Sequence, residues 1–218
     1  MRRCGKFGFA IAGGLTSWPG LAEAHAPLAG LGIFYAHLLD PFVAPSHGLL
    51  LIAAALICGQ QGRDSARWGV VAFCVAFALG LIAAQLGGMG GVREPVLLAA
   101  SLALGAAICL DRPVGRVVTV LAAAGAGALL GLESENAGET SRETALTLAG
   151  LASGFIYLLI LIAGLTVGFK KHWHRVGVRI AGSWIVAASV LVLALSLAAP
   201  AKRNKVAAAP LTLQRPQC

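Results

Sequence analysis

Long apolar runs alternate with short polar ones along most of this chain, and their lengths indicate its class. Residues 68–86, 96–110, 117–132, 144–169 and 180–199 each read as one helical crossing, against the ~20 residues that cover ~30 Å of hydrocarbon at ~1.5 Å per residue. An earlier run, 47–59, is short for a crossing and is expected to borrow residues from the segment before it. The prediction is an all-α, polytopic transmembrane helical bundle of about six crossings.

The segment that precedes residue 47 carries the breakers. Residues 27–39 are apolar over a length that favours an interfacial or re-entrant piece. Asp40-Pro41 follows, and proline disfavours helix in the residue before it, so a break is predicted at Asp40. The chain restarts after Pro45, with Ser46 placed to cap the new helix and His47 in its first turn. Between the other runs, 60–67 and 170–179 read as polar loops, 87–94 as a glycine-rich turn and 111–116 as a tight basic one. The fourth crossing contains Ala124-Gly125-Ala126-Gly127, a small-residue surface suited to close helix packing in lipid.

Composition strengthens this picture. Of 218 residues, 58% are hydrophobic and only 12% charged, about half the charged share of an ordinary globular domain. The net charge of +8 does not point to nucleic acid, because Lys and Arg are confined to short loops and the two ends. Cys4, Cys58, Cys74, Cys109 and Cys218 form no CxxC pair, and a disulfide framework is not indicated. No nucleophile and base set, phosphate-cradling loop or nucleotide fingerprint is visible, so the chain is not expected to be an enzyme or to carry a cofactor.

The N-terminus reads as a signal peptide over residues 1–24. Arg2, Arg3 and Lys6 make a positive region, 7–15 a short apolar one, and Ala22-Glu23-Ala24 a small-x-small cleavage site. His25 then becomes the mature N-terminus, where an α-amine and an imidazole share one residue. The bundle occupies 25–200, and 201–218 is a basic tail expected to be disordered.

Orientation follows from Lys and Arg in the short loops. With the mature N-terminus outside, the inner loops hold Arg63, Arg67, Arg112, Arg116, Lys170, Lys171, Arg175 and Arg179, and the outer loops only Arg93 and Arg142. Trp68 and Trp173 fall at the inner interface, as an aromatic belt requires. A multi-pass protein of a bacterial inner membrane, with a periplasmic N-terminus and the lipid bilayer as its first partner, is the expectation.

That orientation brings two polar groups to the outer side. His37, Asp40 and His47 lie where the first helix begins, and Glu133, Glu135 and Glu139 follow the fourth. Imidazole and carboxylate together suit divalent first-row metals. Ionisable groups at membrane depth cost enough that they usually face a cavity or a partner. Cys58 projects from nearly the same side of its helix as His47, which fits either a lining face or plain packing. His172 and His174 sit among Lys and Arg, which repel a cation, and read as an interfacial loop.

The layout resembles the HupE/UreJ family of hydrogenase and urease accessory membrane proteins: a signal peptide ending before a histidine, a Pro-containing turn, a His-led first helix and about six crossings. The family's first-helix motif is His-Pro-x-x-Gly-x-Asp-His. Here Pro41 and His47 match it, while Asp40, Ala44 and Ser46 stand where the family has His, Gly and Asp. The second motif, rich in His-Gly and ending in Glu, falls on residues 133–139, which retain a glycine and glutamates but no histidine. The resemblance implies passage of a divalent metal ion, nickel or cobalt, toward the cytoplasm, with His47, Asp40, His37, His25, Glu133, Glu135 and Glu139 as candidate ligands. The metal is then cargo, and a metalloenzyme maturation partner is implied. The alternative is a non-transporting membrane subunit or assembly factor for a periplasmic metalloprotein.

Overall fold

The computed structural model describes residues 32–87, 94–110, 114–134, 141–168 and 172–207. Among them all regular structure is helical: α1 (Ile33–Leu38), α2 (Asp40–Val43), α3 (Pro45–Gln60), α4 (Arg63–Gly87), α5 (Glu94–Leu110), α6 (Gly115–Glu133), α7 (Ser141–Gly168) and α8 (His172–Ala207). α4, α6, α7 and α8 are long and apolar enough to cross a membrane, and α3 and α5 are shorter apolar helices. The signal segment 1–24, His25, Glu135, Glu139 and residues 208–218 lie outside the described residues.

The bundle is arranged around α3. This helix is apolar on every side, the pattern of a fully enclosed helix, and α2, α4, α5, α6, α7 and α8 all touch it. Leu50, Leu51, Ala53, Ala54, Ala55, Leu56, Ile57 and Cys58 are buried. With 16 residues, α3 is about 24 Å long at the standard rise, shorter than the hydrocarbon thickness. Its neighbours face outward instead. On α4, Val71, Val75, Leu79 and Ile82 form an exposed stripe at helical spacing, as a lipid-facing surface demands.

Glycines set the closest approaches. Gly127 and Gly131 of α6 lie against the carbonyl oxygens of Phe73 and Phe77 of α4, where any Cβ would collide with backbone. Paired numbers rise together, so α4 and α6 run parallel. The sequence placed this close surface on 124–127, but Gly125 faces open space. Gly131, one turn beyond Gly127, completes the contact instead, because residues four apart share a helix face.

α5 and α8 pack antiparallel. Gly105 meets Ile185 and Val186, Gly182 meets Ile108, and the buried hydroxyls of Ser101 and Ser189 are 2.7 Å apart. At the end of α5, Arg179 Nε donates to the Cys109 carbonyl at 3.2 Å, placing a cation on orphan carbonyls at the negative helix terminus.

Two predicted loops are shorter than expected. The polar stretch 60–67 reduces to a turn at Gln61 and Gly62, whose φ of 92° needs glycine, and Arg63 already belongs to α4. The stretch 170–179 is helical from His172 onward. In both, charged residues extend a helix past its apolar run, since polarity does not end a helix. α8 runs through Ala207, past Lys202.

Candidate functional site

Pro45 shapes the site. It disfavours helix in the residue before it, and Ala44 is extended at φ −92°, ψ 106°. α2 therefore ends there and α3 starts in a new direction, with Pro45 in its first turn. Near the predicted break at Asp40, α1 ends at Leu38 and Asp40 opens α2, with Leu39 between them in the right-handed helical region; the extended interruption falls at Ala44. Ser46 makes no capping hydrogen bond and is buried. The cap position belongs to Ala44, two residues before Ser46.

The two short elements fold onto each other. Gly48, in the first turn of α3, lies directly against the Pro41 carbonyl oxygen, leaving no space for a side chain. That contact brings Asp40 over His47. Asp40 Oδ2 is 2.7 Å from His47 Nδ1, an ion pair whose side chains are 18% exposed for His47 and 26% for Asp40. An ionised carboxylate only accepts hydrogen bonds, so Nδ1 is the donor. The lone pair of the neutral ring is then on Nε2.

The pair lies deep. α1 packs along α7, with Gly150 against the Phe34 carbonyl and Gly154 against that of Leu38, so the two run parallel. The His47 ring meets Phe155 edge-on at 5.9 Å between centroids, and Phe155 stands near the midpoint of α7. Phe155 in turn meets Phe77 at 5.5 Å, near the midpoint of α4. The sequence put His47 at the mouth of the first helix. Because α1 and α2 descend along α7 first, the mouth of α3 is in the middle of the bundle.

Below His47 the core is closed. Phe155, Phe77 and Phe73 are buried, with Phe73 and Phe77 stacked at 6.0 Å. At the far end of α3 a cavity of about 350 Å³ opens between Gly59, Gln60, Thr166 and Arg175. Cys58 is buried and packs where Gly69 leaves room for its Sγ; it takes the packing alternative.

His37 is half-buried on α1, its Cβ beside Gly150 of α7. Glu133 ends α6, two residues past the Gly131 contact with Phe77, and keeps Oε2 out of solvent. His25, Glu135 and Glu139 lie outside the described residues. Among the described residues no three His, Cys, Asp or Glu side chains gather as a metal-holding group; the structure joins Asp40 and His47 alone. His174 stacks obliquely on Trp173 at 4.0 Å, at the opposite end of the bundle. Sequence reasoning missed Gly48 and Phe155, which hold the pair from two sides. The Gly48 signal was available in Pro41-x-x-x-x-x-x-Gly48 only once the fold of α2 onto α3 was known.

A family model described as HupE / UreJ protein matches residues 14–193. No curated protein and no solved structure matches the chain.

Proposed function

The chain belongs to the HupE/UreJ family, and from that premise we propose that it passes a divalent transition-metal ion, nickel or cobalt, across the bacterial inner membrane toward the cytoplasm. The observation that carries this reading is the His47–Asp40 pair at mid-depth, at the break between α2 and α3. Ionisable groups at that depth are costly to keep and are rarely idle. Transporter sites commonly sit near the midplane, where discontinuous helices free polar groups to face a cargo.

The geometry supports a division of labour. Asp40 fixes the ring and tautomer of His47, as carboxylates behind metal-bound histidines do. His47 Nε2 is the ligand, and Asp40 Oδ1 remains available for a second bond. His37, with His25 from the mature N-terminus, assists on the outer side, and Glu133, Glu135 and Glu139 raise the local cation concentration above the pair. In this reading α4–α8 each cross and α1, α2 and α3 together make the first passage, and the Lys and Arg bias favours a periplasmic start for that passage. Any uphill transport requires a gradient or a partner.

The test is nickel binding by the full-length protein in detergent, followed calorimetrically. Wild type binds, and His47→Ala lowers affinity by at least about tenfold. Equal binding by both rejects the assignment and leaves the non-transporting assembly factor as the better account.

A further inference from the structure

A second site lies at the end of the bundle remote from the His47–Asp40 break. Between α4 and α7 there is a groove of about 460 Å³ lined by Arg63, Arg67, Val70, Ile160, Gly164 and Val167, among others. Its floor is apolar, and Val71 and Ile160 on its rim are exposed to the side of the bundle. It therefore opens laterally, where lipid chains lie if the bundle spans a bilayer. From Arg63 to Val71 it runs along about 12 Å of helix, the length of half an acyl chain.

Arg63 and Arg67 stand at one end of this apolar floor. Residues four apart share a helix face, so both guanidinium groups are presented to the same place. Both are exposed, and among the described residues neither pairs with a carboxylate. Asp64 is nearby in sequence but does not line the groove. Arg63 is the first residue of α4, so first-turn N–H groups and the positive helix terminus add to the same field. Charge at the mouth and hydrocarbon below it match one class of ligand.

We propose that this groove binds an anionic phospholipid, its phosphate held by Arg63 and Arg67 and an acyl chain laid along Val70, Ile160 and Gly164. The site rests on the bilayer-spanning reading above but not on metal passage. The arginine side faces the cytoplasmic leaflet in the proposed orientation, where basic pockets between helices hold anionic headgroups.

Native mass spectrometry of the full-length protein, titrated with phosphatidylglycerol or phosphatidylcholine, tests it. The anionic lipid is retained with about 25-fold preference, about fivefold per arginine. Arg63→Gln with Arg67→Gln abolishes the preference. A Cβ at Gly164 meets nothing within 4 Å, so Gly164→Leu fills the groove without a backbone clash, keeps its melting temperature and loses the bound lipid. Equal retention of the two lipids, a preference that survives the double substitution, or full competition by inorganic phosphate overturns the proposal. None of these arms involves metal, so failure here is separable from failure of the transport reading.

Discussion

Asp40 Oδ2 and His47 Nδ1 meet at 2.7 Å across the extended residue Ala44. The two belong to different helices, and the bond orients the imidazole so that Nε2 is free for another partner. Asp40→Ala leaves the ring without its orienting acceptor and is expected to weaken nickel binding about 10- to 100-fold. Asp40→Asn, which retains an oxygen acceptor, loses less. In a double-mutant cycle with His47→Ala the losses are strongly non-additive, as for groups in one contact; simple additivity in the calorimetric affinities would show that they act independently.

Gly48 is the residue that permits this approach. A methyl group there collides with the Pro41 carbonyl oxygen, and backbone cannot give way as a flexible side chain does. Gly48→Ala is expected to cost about 1–3 kcal/mol of stability and to reduce nickel affinity together with it. Gly164→Ala, with open space around its Cβ, is the control that leaves both unchanged. Thermal unfolding in detergent compares them.

The α4 and α6 contact makes a sharper pair of predictions. Gly127→Leu or Gly131→Leu forces α6 away from the carbonyls of Phe73 and Phe77 and lowers the melting temperature, while Gly125→Leu on the open face does not. Small residues let backbones approach closely in lipid, where van der Waals packing drives association. Equal tolerance at all three positions, read by thermal unfolding, would contradict the packing described.

Ser101 and Ser189 join α5 to α8 through buried hydroxyls 2.7 Å apart. Ser101 also donates to the Leu98 carbonyl at 2.9 Å, so Ser189 is the donor between the two hydroxyls. Replacing both by alanine is expected to cost only about 0.6 kcal/mol, the usual size of an interhelical hydrogen bond in a membrane protein. Single and double alanine variants, compared by unfolding in detergent, measure it.

The apolar helices, four of them long enough to cross a membrane, were legible because apolar run length is a direct physical requirement of a bilayer. Residues 117–132 and 144–169 correspond closely to α6 and α7. Where charge marks the boundary the reading failed: Arg63 and Arg175 lie inside helices because solvated side chains do not oppose helical backbone. The partnership of Asp40 with His47 was half legible. Both residue types and their nearness in sequence were visible, but their depth was not, since it depends on α1 and α2 lying along Gly150 and Gly154 of a helix more than a hundred residues later. Periodicity within one segment carries no information about that docking. Phe155 was silent for the same reason, one aromatic among many until α7 sets it against His47.

The central claim, that His47 is a ligand on an inward route for a divalent ion, is tested most directly by nickel uptake into proteoliposomes containing the full-length chain. Wild type is expected to take up nickel above protein-free vesicles, and His47→Ala to fall to that background while its melting temperature holds. Uptake by a folded His47→Ala protein at the wild-type rate would contradict the account.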